Sequence, residues 1–134
     1  MLPKWHALFG FVFAYVLYWF TSMNMFEASL IFLSSILIDF DHYIWYVVKI
    51  KDWSLKNAYI YLKKLSKQKH KPRMDIFHTI EFHIFVWLLG FIWSGFFYIF
   101  VGMVFHSITD LISLIYERRV YARVFWLIIF DTNL

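Results

Sequence analysis

Asp39, Asp41 and His42 stand together in I-L-I-D-F-D-H-Y-I-W-Y, residues 36–46, where every other position is apolar or aromatic. Three more clusters carry the same two chemical groups: His6, His78-x-x-Glu81-x-His83, and His106-x-x-x-Asp110. Imidazole mixed with carboxylate suits zinc, manganese or iron; calcium and magnesium prefer oxygen alone. Asp39 and His42 share a helix face at i and i+3, and His106 and Asp110 do so at i and i+4. His78 and His83 do not, since five residues set them about 140° apart on a helix. Either the helix begins after His78 or one of the two is not a ligand. Glu81 and Asp41 are the candidate general bases. Taken singly, each cluster has a plainer reading: His6 an interfacial histidine, His106 and Asp110 a hydrogen-bonded helix pair, residues 78–83 a polar helix end.

The elements that must position these groups follow from composition. The 134-residue chain is 62% hydrophobic and 25% aromatic with mean hydropathy +0.61, too apolar for a water-soluble domain. An all-α integral membrane protein is expected, one domain over residues 1–134, with four spans near 5–20, 25–48, 75–92 and 95–116. The first run lacks a small-residue cleavage site and reads as a retained helix. Residues 49–73 hold nine Lys and Arg, with Leu55, Ala58, Tyr59, Leu62 and Leu65 at helical spacing. That pattern predicts a basic amphipathic helix over 51–70 lying on an anionic membrane surface, with a solvated loop as the alternative. A short interfacial helix is expected over 124–130. All 13 Lys and Arg lie at the N-terminus, in 49–73 or after Tyr116, and the turns at 21–24 and 93–95 have none. The positive-inside rule then puts both termini in the cytoplasm. There is no Cys, hence no disulfide or thiolate site. No nucleic-acid partner is expected, and the oligomeric state is left open.

An ionisable residue in a spanning helix costs roughly 2.5–3.5 kcal/mol for Asp, so several together imply a site. Counting about 1.5 Å per residue through a ~30 Å core, the clusters on all four helices fall in one layer, roughly 5–13 Å from the basic side. His70, among the loop lysines, is left out of that layer. Nine candidate ligands exceed one tetrahedral zinc. They fit two ions, or one ion with supporting groups and a base, and the expectation is a dinuclear site of divalent metal, zinc before manganese or iron. The expected ligands are Asp39, Asp41, His42, His78, His83, His106 and Asp110, with His6 and Glu81 next. Arg118 and Arg119, two turns past Asp110, are candidates for a substrate phosphate.

The order His6, Asp39-Phe40-Asp41-His42, His78-x4-His83 and His106-x3-Asp110 resembles the membrane-bound metal-dependent hydrolases. These are four-helix inner-membrane proteins distantly grouped with zinc phospholipase C. The resemblance implies hydrolysis of a phosphoester or lipid headgroup by metal-activated water. The chain departs from that pattern at Ile38, where the family usually has Pro, and at residues 78–83, where a family Arg is missing. Two rival functions use the same ligands: a metal-ion transporter or sensor, and a bis-histidine haem protein.

Overall fold

In the computed structural model, residues 3–65, 73–74, 76–116 and 123–124 are described. Six α-helices follow in order: α1 Pro3–Phe20, α2 Met25–Leu37, α3 Phe40–Ile50, α4 Leu55–Leu65, α5 Ile80–Leu89 and α6 Gly95–Tyr116. A 3-10 turn, Ile76–His78, precedes α5. Arg73–Met74 and Arg123–Val124 make a two-residue parallel pairing, so Val124 is extended where the C-terminal helix was expected. The rest of that expected helix, along with Arg118, Arg119, His70 and the 66–70 end of the expected surface helix, lies outside the described residues.

The central element is α2, which packs against α1 on one side and α6 on the other; α6 also carries α5. A capping box starts α2: Asn24 Oδ1 accepts the Glu27 N–H at 3.0 Å, and Glu27 Oε2 accepts the Asn24 N–H at 2.8 Å. Glu27 therefore closes a helix end. Small residues set the helix contacts. A Cβ at Gly10 would run into the Ser35 side chain, and one at Gly102 into the Ser34 hydroxyl and the Ile31 carbonyl. Such close approach of backbones is how apolar helices associate without a hydrophobic driving force. Below this contact, Ile38, Val86 and Met103 form a buried cluster lined by Phe77, Phe82 and Phe100.

Between α2 and α3 the helix bends without a proline. The hydroxyls of Ser34 and Ser35 bond back to Ile31 and Phe32 carbonyls at 3.0 and 2.7 Å, a habit that bends helices. In a straight helix the Ser35 carbonyl would accept the Asp39 N–H. Here it accepts His106 Nδ1–H from α6 at 2.6 Å, and the Asp39 N–H turns to Ile36 at 3.3 Å. A foreign donor inserted into the ladder is a recognised cause of kinking. The bend leaves Asp39 at the N-cap of α3 and Asp41 in its first turn, where the helix dipole favours negative charge.

The turn from α3 to α4 is tied at Asp52. Lys51 closes α3 in the left-handed region at φ 57°. Asp52 then accepts the Tyr46 hydroxyl at 2.6 Å, the Ser54 N–H at 2.9 Å and Asn57 Nδ2 at 2.9 Å. These donors, Tyr46 foremost, hold the Asp52 carboxyl below its ordinary pKa. Because the folded value is depressed, the tie is fully formed above the unfolded value near ~3.9 and is lost as pH falls through the folded one. The Ser54 and Asn57 amide resonances are expected to titrate with a shared midpoint below ~3.9, and a midpoint at or above it would contradict the tie.

Among the described residues two helices are long and apolar enough to cross a membrane: the bent Met25–Ile50, of 26 residues, and Gly95–Ser113, of 19. The expected spans at 5–20 and 75–92 form shorter apolar helices, Trp5–Phe20 and Ile80–Leu89. The latter is short because the chain before Ile80 turns as 3-10 and the chain after Leu89 turns again before α6. On α4, Ala58 is buried and Tyr61 packs against Trp45 and Tyr46, while Leu55 and Tyr59 of the expected apolar stripe stay exposed.

Candidate metal centre

The bend in α2–α3, the 3-10 turn before α5 and the lower half of α6 converge on one buried cluster. His106 fixes its chemistry. Its Nδ1 must carry the proton given to the Ser35 carbonyl, so in the neutral ring its Nε2 presents a lone pair. That Nε2 is buried without a hydrogen-bond partner and faces two carboxylate oxygens, Asp39 Oδ1 at 3.5 Å and Asp110 Oδ2 at 3.6 Å. His78 repeats the pattern. Its Nδ1 lies 3.2 Å from Asp41 Oδ2, while its buried, unpartnered Nε2 lies 3.6 Å from Asp39 Oδ1.

Acceptors aimed at acceptors repel unless a proton or a cation lies among them. The spacing distinguishes the two. A good N–H···O bond is 2.7–3.2 Å, shorter than these three contacts. Ligands about 2.0–2.2 Å from a tetrahedral zinc stand about 3.3–3.6 Å apart. Neighbouring ligands of an octahedral magnesium stand only about 2.8–3.0 Å apart. Asp39, His78, His106 and Asp110 offer four ligand atoms within 4.8 Å of one another, and three of their separations, Asp39–His78, Asp39–His106 and His106–Asp110, fall at the 3.5–3.6 Å of the tetrahedral case. A second group, Asp41, His42 and His78, meets the same 4.8 Å limit and shares His78 with the first.

The surrounding contacts orient the first group. Asp41 Oδ2 accepts the Phe77 N–H at 3.2 Å as well as His78 Nδ1, and its Oδ1 lies 2.7 Å from His42 Nδ1. His42 stacks on His78 with ring centres 5.1 Å apart, and its Nε2 reaches Asp39 Oδ1 at 3.3 Å. His6 stacks on His106 at 4.2 Å and brings Nε2 to Asp110 Oδ1 at 3.0 Å. A carboxylate or carbonyl behind each ligating imidazole is the usual support of a metal site, fixing both tautomer and ring orientation.

His83 and Glu81 stand apart from both close-set groups. His83 Nδ1–H donates to the Thr79 carbonyl at 2.8 Å, and its Nε2 meets the Ser107 hydroxyl at 3.2 Å, so both ring nitrogens are satisfied. Glu81 lies in the first turn of α5. The angular conflict between His78 and His83 is resolved by the helix starting at Ile80, with Thr79 as its cap and His78 in the 3-10 turn before it. The Ser35 carbonyl and the Ser107 hydroxyl are the participants that residue types alone did not point to. The one signal for Ser35 was a Ser-Ser pair inside an apolar run.

The chain matches no family model, no curated protein and no solved structure.

Proposed function

We propose that the chain is a membrane-embedded, metal-dependent hydrolase acting on a phosphoester, with its site toward the cytoplasmic leaflet. The observation that carries this reading is the convergence of Asp39 Oδ1, His78 Nε2, His106 Nε2 and Asp110 Oδ2, with the three buried partners His78, His106 and Asp110 and with Asp39–His78, Asp39–His106 and His106–Asp110 separations of 3.5–3.6 Å. Mixed nitrogen and oxygen ligands at that spacing favour zinc, with manganese or iron as the alternatives. When bound, such an ion supplies a Lewis acid and lowers the pKa of water toward ~7. The residues of the chain do the rest. Asp41 holds the His78 proton on Nδ1, the Ser35 carbonyl holds that of His106, and His6 steadies Asp110. Asp41 and Glu81 are the candidate bases. A second ion at Asp41 and His42 would need His78 Nδ1, the nitrogen that faces Asp41, so the geometry favours one fully equipped position over two equal ones.

The membrane reading is supported by exposure. Only 33% and 28% of the two long apolar helices' windows are buried, and their outward residues are large and apolar. A core helix of a water-soluble protein is mostly enclosed, and apolar exposure on this scale belongs against lipid. Four helical segments in the bilayer, with α1 about 27 Å and α5 about 15 Å long, need local thinning around α5. The positive-inside rule applied to the basic segment favours cytoplasmic termini, with α4 on anionic headgroups. The transporter reading loses support because Glu27, in the far half, is engaged at the α2 cap and by the Tyr98 hydroxyl. The resemblance to membrane-bound metal-dependent hydrolases is drawn on these same residues, His6, Asp39, Asp41, His42, His78, His106 and Asp110, and is part of the proposal.

The test is metal analysis of the purified chain, then a panel of soluble phosphoesters and phospholipids assayed with and without chelator. The expected result is stoichiometric zinc and chelator-sensitive release of product. A Soret band, or metal flux in liposomes without hydrolysis, would replace this reading with one of its rivals.

A further inference from the structure

A cavity of about 250 Å3 opens beside the cluster. His6 and Asp39 are its ionisable lining residues, and Leu37, Phe40, Tyr43 and Leu55 are among its walls. Asp39 is the cluster's most open carboxylate, with its side chain 26% exposed against 8% or less for Asp41 and Asp110. The cavity is thus where the cluster meets the surroundings. Its rim is apolar and open, since Leu37, Phe40 and Leu55 are each at least half exposed. His6 is buried, and its Nδ1 has no hydrogen-bond partner.

We propose that this cavity is a binding groove for an anionic phosphoester amphiphile, admitted sideways from the bilayer. The start of its apolar chain lies among Leu37, Phe40 and Leu55, and its head lies at Asp39 and His6. For the chemistry done on the head, the proposal rests on the hydrolase reading; the seating of the chain does not. A wholly polar phosphoester would shed water against these walls and find few partners there. The volume decides how much of a ligand enters. Sites that enclose a whole small molecule run to roughly 300–1,000 Å3, so this groove takes one chain segment and leaves the remainder in lipid. Charge selects the head. Helix α4 begins at the rim residue Leu55 and carries exposed Lys56, Lys63 and Lys64, which draw anionic lipids to the opening. With His6 Nε2 directed at Asp110, its Nδ1 remains as an acceptor for a head-group hydroxyl.

The experiment uses the full chain in nanodiscs with a phosphatidylglycerol that carries a diazirine on the first carbons of one acyl chain. After photolysis, adducts are mapped by mass spectrometry. Labelling is expected to concentrate on Leu37, Phe40 and Leu55, and to fall at least fivefold in L37W and L55W, two changes at exposed positions that fill the opening. A single-chain phosphate amphiphile is expected to suppress labelling, and inorganic phosphate is not. Labelling spread evenly over the outward faces of α1 and α5, labelling indifferent to both variants, or equal competition by inorganic phosphate would each overturn the groove. Metal content is measured on the same samples. A chain that holds zinc but labels evenly loses the groove and keeps the hydrolase reading. A chain labelled at the groove without metal keeps the groove and loses the hydrolase.

Discussion

His106→Ala and Asp39→Ala, each purified as a monodisperse species in detergent, are expected to lose bound zinc by more than a hundredfold in affinity. Each removes one of the four ligand atoms that lie within 4.8 Å of one another. Asp41→Asn is expected to cost less, on the order of 10–100-fold, the usual cost of losing a group that supports a ligating histidine. His83→Ala is the internal control. It deletes a histidine of the same short segment whose ring nitrogens already serve Thr79 and Ser107, so metal content should stay near that of the unaltered chain. Competition titration against a chromophoric chelator orders the four variants. Equal loss in His83→Ala and His106→Ala would mean that the histidines matter for folding and not for the ion.

The second large effect is expected in the helix packing. Gly102→Ala places a methyl group against the Ser34 hydroxyl and the Ile31 carbonyl; Gly10→Ala places one against the Ser35 side chain. Overpacking of this kind costs typically 1–3 kcal/mol. The two sites differ in what can yield. Ser35→Gly removes the side chain that Gly10→Ala meets, so the double variant is expected to regain most of the lost stability, less the ~0.5–1 kcal/mol of a mid-helix glycine. Ser34→Gly leaves the Ile31 carbonyl in place, so Gly102→Ala is expected to remain destabilised in the double variant. Thermal unfolding in one detergent, followed by circular dichroism, compares the pairs. Full rescue of Gly102→Ala by Ser34→Gly would show that the α2–α6 contact is not made at the backbone.

The periodicity of apolar residues carried the helices, and the grouping of His and Asp carried the cluster, because both are properties of spacing along one chain. What spacing could not carry was anything that depends on a partner helix. The bend at Ile38 and Asp39 has no proline to announce it; its cause, His106, lies on α6. His83 looked equivalent to His78 in sequence, and only Ser107 on α6 and the Thr79 carbonyl distinguish them. The surface stripe on α4 was read as if the helix lay alone, so it did not include Tyr61, which packs against Trp45 and Tyr46 of α3. Ile80–Leu89 was extended in both directions because its flanks are apolar, although they turn.

The bond from His106 to the Ser35 carbonyl joins residues 71 apart in sequence. During synthesis α2 and α3 are made long before α6, and until His106 arrives the Ser35 carbonyl has only its own helix to bond to. Until then nothing on α6 draws that carbonyl away from the Asp39 N–H, the partner it would have in a straight helix. Arrival of the last helix both delivers His106 and Asp110 and puts the bend into the earlier one. On the metal-site proposal, two of the four ligand atoms come with α6, so a chain that stops before α6 lacks half of the set and is expected not to hold the ion.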